Sequence, residues 1–174
     1  NAFARTYFPT EINPIKRKPI PLEDIQRIQN LCMTIDDDMR WLVALISDTG
    51  MRLGEAAGLH LDDIILDEPI PHIDLKPHLW RSLKTKGSER RIPLVGAALW
   101  AARRIVNEGS EREFAFPRYC DDVGCNANSA SNGLNKWLRH HVPKGCVMHS
   151  FRHSLRDRLR SAGCPGEVAD SIGG

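Results

Sequence analysis

Tyrosine is almost missing from this 174-residue chain: Tyr7 and Tyr119 are the only two. Long apolar runs are missing as well. None reaches the roughly 18 residues of a membrane span, and no signal-peptide h-region stands at the N-terminus. The five cysteines, Cys32, Cys120, Cys125, Cys146 and Cys164, are odd in number and irregularly spaced. This excludes a disulfide scaffold and leads us to expect a reduced, cytoplasmic protein. Cys120-x₄-Cys125, followed by Cys146 and His149, lacks the paired short intervals of a structural zinc site, so no zinc is expected. A strong charge of one sign is lacking too. The net charge is +2, from 24 basic and 22 acidic residues, so bulk charge does not demand a nucleic-acid partner. Internal repeats and low-complexity tracts are absent.

What remains is an ordinary globular composition, 41% hydrophobic and 26% charged, long enough for one domain with a real core. The charges are unevenly distributed. Acidic residues gather at Asp36-Asp37-Asp38 and over 61–68; basic ones gather at 16–18, 81–91 and 139–160. A basic face on a near-neutral chain is compatible with double-stranded DNA as a partner.

Residues 1–20 have no sustained period and carry Pro9, Pro14 and Pro19, so they read as an extended arm. A helix is expected from about Pro21, with acidic residues in its first turn, to about Met33. The next follows Thr34. Met39, Trp41, Leu42, Val43, Leu45 and Ile46 cover nearly its whole circumference, the mark of a buried central helix. Gly50 ends it, and 52–57 can form a short further helix. Strands are expected at 63–66, 72–75, 79–83 and 90–94, with Lys84-Thr85-Lys86-Gly87-Ser88 as the turn between the last two. Helical patterning returns at 96–106, 129–141, 149–162 and 165–172. The expected fold class is α+β, mostly α, with one small antiparallel sheet. Trp41, Trp80, Trp100 and Trp137 read as packing residues.

Three stretches carry chemistry. On the helix opened by His149-Ser150-Phe151-Arg152, Phe151, Leu155, Leu159 and Ala162 share one face. His149, His153, Arg156 and Arg160 share the next, with Arg152 at the boundary. A histidine and an arginine one turn apart at a helix start suit a phosphate, because the guanidinium fork matches two of its oxygens. Taken alone, such a pattern is more often a solvated basic face. Arg52 follows Gly50 and has Glu55 three residues on to hold its rotamer, though alone this too is an ordinary surface ion pair. The third stretch puts Lys84 and Lys86 on a hairpin tip, where an ammonium can protonate a leaving oxygen. Alone it is a common charged turn.

In this order the three resemble the tyrosine recombinase, or phage integrase, family. The matching text is Thr49-Gly50-Met51-Arg52-Leu53-Gly54-Glu55 with Leu59 and Asp62-Asp63-Ile64. It continues with Lys84-Thr85-Lys86-Gly87 leading to Arg91-Ile92-Pro93-Leu94, and His149-Ser150-Phe151-Arg152-His153-Ser154. The resemblance implies a catalytic domain over 19–174, with 1–18 a linker from a core-binding domain upstream. It implies that Arg52 and Arg152 grip the scissile phosphate and that Lys84 protonates the leaving 5′-oxygen, with Lys86 the alternate. His149 would assist proton transfer, and Glu55 would support the site. Lys86, Arg90, His153 and Arg156 are expected as DNA contacts. The implied reaction is site-specific recombination through a 3′-phosphotyrosyl intermediate, which conserves the phosphodiester energy and so implies no metal, ATP or other cofactor, with self-association into tetramers on DNA.

The pattern departs from the family at its end. A further His or Trp and the tyrosine nucleophile should follow the His-x-x-Arg helix, and no tyrosine lies beyond Arg152. Tyr7 and Tyr119 fit no nucleophile position. The expectation is a fragment that binds DNA and positions a phosphate without forming the covalent link. Two other readings stand beside it. One is a non-catalytic DNA-binding regulator, with 129–141 and 149–162 as a helix-turn-helix. The other is a type IB topoisomerase-like enzyme.

Overall fold

Pro21, with φ near −56°, starts the first helix where its missing N–H costs nothing. This computed structural model describes residues 18–83, 88–109 and 112–173. Helix α1 (Leu22–Ile35) has Glu23 and Asp24 in its first turn and closes at Asp36, a left-handed residue whose N–H bonds to the Cys32 carbonyl. Helix α2 (Asp38–Thr49) starts where the Asp37 carboxylate accepts the Arg40 N–H, and Gly50 ends it at φ 61°. Every residue from 41 to 47 is buried, as the unbroken apolar circumference predicts.

Helix α2 is the hub. The short α3 (Leu53–Ala57) continues from it, and α1, α4 (Gly96–Glu108) and α6 (Ser150–Ser161) pack around it. Asp48 in its last turn pins two of them: one carboxylate oxygen accepts the Ala97 N–H at 2.9 Å, the other the Arg158 guanidinium at 2.9 Å. Helix α5 (Ala127–Leu138) packs against α3, and α7 (Gly166–Gly173) against α6. Ser154 on the buried side of α6 accepts the Ile20 N–H at 2.7 Å, which ties that helix to the start of the domain.

A three-stranded antiparallel sheet, order β1-β2-β3, lies beside the helices: β1 (Ile64–Ile65), β2 (His72–Leu75) and β3 (Arg90–Pro93). Ile73 pairs with Ile64 on one side and Ile92 on the other, so the three isoleucines form one buried row.

The α+β, mostly α class holds, and the helices fall within a few residues of the sequence expectation. One strand does not form. Residues 78–81 make a tight turn closed by reciprocal bonds between His78 and Arg81, at 3.0 and 3.1 Å. The cause is Arg81, whose guanidinium turns inward to Asp63 and to the carbonyls of Glu55 and Gly58. β3 therefore pairs with β2, and the connection carrying the lysines spans 76–89. Lys84 and Lys86 lie outside the described residues, as does nearly all of the 1–18 arm. Among the described residues, no helix is long and apolar enough to cross a membrane.

Candidate active site

Gly50 makes the site possible. Its left-handed backbone turns the chain sharply, buries Met51, and leaves Arg52 as the first residue before α3. Glu55, one turn along, accepts the Arg52 N–H at 3.0 Å and an Arg52 guanidinium N–H at 2.5 Å. The carboxylate is 4% exposed. It accepts a second guanidinium from Arg90, 3.1 Å away. Ser88, fully buried, accepts from Arg52 at 3.2 Å.

Helix α6 delivers the other half. It passes so close to the end of α2 that a Cβ on Gly50 would lie 3.6 Å from the Arg152 Cα and 2.7 Å from Cδ2 of Leu155. Arg152 is buried and donates to the Gly50 carbonyl at 3.1 Å. Burial, aided by the positive charges of Arg52 and Arg90, pushes its guanidinium down to about 10. Glu55 moves the other way from its burial. Burial alone would raise it, but the bonds from Arg52 and the charge of Arg90 hold it below the usual carboxylate range.

Arg52, Glu55, Arg90 and Arg152 thus form one constellation, three positive charges against one negative. His149 is half-buried at the start of α6, and its carbonyl accepts the Arg152 N–H at 3.2 Å. Its ring packs edge-on to His153, centroids 5.2 Å apart. Arg156 is bonded to Asp170 of α7 at 2.6 Å. Arg90, expected as a DNA contact, points inward, its side chain 5% exposed. The two-residue period of β3 carries the signal for this, because Arg90 shares a face with buried Ile92.

Sequence reasoning missed the buttress behind α3. Asp63 is fully buried, and its carboxylate meets Arg81 at 3.1 Å and His78 at 2.8 Å. Arg81 in turn donates to the Glu55 and Gly58 carbonyls, at 3.2 and 3.0 Å. No local pattern links residues 18 apart, so only the fold reveals the pair. A cleft of about 370 Å³ opens beside this buttress, lined by Arg52, Gly54, Glu55, Trp80, Arg81 and Cys125. A larger groove, about 640 Å³ between Ile20 and Ala162, is apolar and holds none of the four constellation residues. The charged side, in contrast, carries guanidiniums of the kind that suit a phosphate.

Known proteins resemble this chain in sequence and in fold. The phage integrase family profile matches residues 19–174. The chain is 25% identical over 143 residues to the transposase of transposon Tn916 from Enterococcus faecalis, covering 70% of this chain and 35% of that protein. The transposase of Tn1545 from Streptococcus pneumoniae matches to the same extent. The chain therefore spans about a third of the length of these curated relatives. Among solved structures, the XerA recombinase superposes with a TM-score of 0.68 at 14% identity, covering 96% of this chain and 56% of that one. The Tn1549 transposon integrase in complex with circular intermediate DNA gives 0.62 at 17% identity, with 90% and 56% covered. The helical domain with its small sheet agrees with the profile match over 19–174, and the chain belongs to the phage integrase family.

Proposed function

We propose that this chain is the catalytic domain of a site-specific DNA recombinase that cleaves and rejoins strands through a 3′-phosphotyrosyl link. The observation that carries the reading is Arg152 on the Gly50 carbonyl, two residues before Arg52, which brings two guanidiniums from segments a hundred residues apart within reach of each other's charge. A guanidinium held down by burial and by its own kind favours an incoming anion, and a phosphodiester supplies one. As charge builds on the pentacoordinate phosphorus, Arg52 and Arg152 neutralise it from fixed positions. Glu55 orients Arg52. His149, one turn before Arg152, assists proton transfer. Lys84, or Lys86, protonates the leaving 5′-oxygen. Ser88, four residues after Lys84 in the sequence, is bonded to Arg52.

The tyrosine belongs to the full-length protein, beyond residue 174, and residues 1–18 link to an upstream DNA-binding domain. Double-stranded DNA is the substrate, with assembly into tetramers on it. Solved complexes of the Tn1549 integrase with transposon DNA and of XerH with its difH substrate support a DNA substrate. The cytoplasm is the proposed compartment, supported by five free cysteines. A non-catalytic regulator has no use for a buried arginine pair at one point.

The test is strand cleavage by the full-length protein on a nicked substrate that traps the covalent complex. The expected result is a protein–DNA adduct through the 3′-phosphate, lost in Arg152→Ala while duplex binding persists. Binding without an adduct in the parent protein would favour the regulator.

A further inference from the structure

We propose that Arg90 is a positioning residue that ties the end of α7 to the phosphate-gripping arginine. Three donors of one guanidinium reach three different segments. Nε donates to the Ile172 carbonyl at 2.9 Å, Nη1 to the Ser88 carbonyl at 2.7 Å, and Nη2 to the Glu55 carboxylate at 3.1 Å. Ile172 lies in the last turn of α7, where helix carbonyls lack an intrahelical partner and a cation is favoured. Glu55 is the carboxylate that holds Arg52. Arg90 therefore closes a chain of contacts from Arg52 through Glu55 to the backbone leaving α7.

The fork is suited to this because its donors are coplanar and rigidly spaced. A lysine there would offer a point charge and could not fix three acceptors at once. A second contact holds the same helix: Arg156 of α6 bonds to Asp170 at 2.6 Å. Both contacts fall in the last turn of α7, Arg156 on a side chain and Arg90 on a backbone carbonyl.

This inference rests on the reading above, in which the nucleophile follows α7. The segment leaving Gly173 would then carry a tyrosine whose oxygen must reach the phosphorus held by Arg52 and Arg152. Fixing the exit of α7 to Glu55 fixes the start of that tether. Glu55 keeps two bonds from Arg52 without Arg90, so loss of Arg90 loosens the tether more than the phosphate grip.

The test compares two attacking groups in the full-length protein. Tyrosine attack depends on the tether. Hydrogen peroxide, added to a variant with the tyrosine changed to alanine, attacks the same phosphorus and releases the same 5′-hydroxyl without it. Arg90→Gln should slow tyrosine-dependent cleavage about 10²-fold, the size expected of a misplaced reactant. Peroxide-driven cleavage should stay within about threefold. Arg90→Lys should behave like Arg90→Gln on the tyrosine arm. Equal loss on both arms would overturn the proposal, because Arg90 would then act through Arg52; so would no loss on either. Hydrogen exchange guards against general misfolding. In Arg90→Gln, amides of 167–173 should exchange faster than in the parent while those of α6 keep their protection, and unchanged exchange in α7 would also overturn it. A parent protein that cleaves nothing would remove the functional reading, and the exchange measurement would still decide whether Arg90 holds α7.

Discussion

The guanidinium of Arg152 donates to the carbonyl of Gly50, 3.1 Å away and two residues before Arg52. One hydrogen bond therefore joins the turn that presents the first arginine to the side chain of the second. The register between them depends on how closely α6 can approach the end of α2.

Gly50→Ala tests that approach. At φ 61° a side chain is strained by about 1–2 kcal/mol, and the added methyl would lie 2.7 Å from Leu155 Cδ2. We expect a lower melting temperature and slower cleavage, because α6 must move. Gly124→Ala is the control, with nothing within 4 Å of its added Cβ. Equal melting temperatures for the two variants would contradict the close-approach account.

The buttress behind α3 is a stability element. Asp63→Ala leaves the buried Arg81 guanidinium with carbonyl partners but no counter-charge, which costs about 3–5 kcal/mol. Asp63→Leu combined with Arg81→Met should recover much of that loss, since the pair and not either charge is what the interior tolerates. Urea unfolding measures this, and a double variant as unstable as the sum of the singles would refute the pairing.

Glu55 gives the site an acid limit. Its folded pKa lies below its unfolded value, so the ionised form favours the folded state. That stabilisation is complete above the ordinary carboxylate value of about 4.3 and is lost as pH falls through the lower folded value. Glu55→Gln should therefore unfold at a lower temperature than the parent near neutral pH. The gap should narrow below the ordinary carboxylate range. A gap that stays constant down to about pH 3 would mean that Glu55 has no depressed pKa.

The lysine assignment separates by leaving group. A bridging 5′-sulfur departs without a proton, so a variant lacking the general acid should cleave 5′-thio DNA at close to the parental rate. We expect Lys84→Ala to lose about 10²–10⁴-fold on ordinary DNA and to recover on the thio substrate. Rescue of Lys86→Ala in its place would move the role two residues along.

Much of this was legible in the residues because the signals were local. Gly50 ending an apolar helix, and His149 three residues before Arg152, are patterns within one or two turns. The buried circumference of α2 is likewise a local count. What was missed depends on distance. Arg81 lies in a run of basic residues and looks like a surface charge, and its partner Asp63 is 18 positions away. The turn that Arg81 stabilises displaced an expected strand at 79–83. Arg90 was legible in part, since strand alternation puts it on the same face as Ile92. A basic residue in a basic cluster invited the surface reading. Ser88 had no signal of its own, because a serine after a glycine is common in turns.

Replacing one non-bridging oxygen of the scissile phosphate by methyl removes the charge that, on the proposed function, Arg52 and Arg152 neutralise. On ordinary DNA, Arg152→Ala and Arg52→Ala in the full-length protein should each cleave about 10²–10³-fold slower than the parent. On the methylphosphonate, each variant should come within about tenfold of the parent protein, because there is no longer a charge to balance. An undiminished deficit for both variants on the neutral substrate would contradict the claim that these two guanidiniums act on a single phosphate.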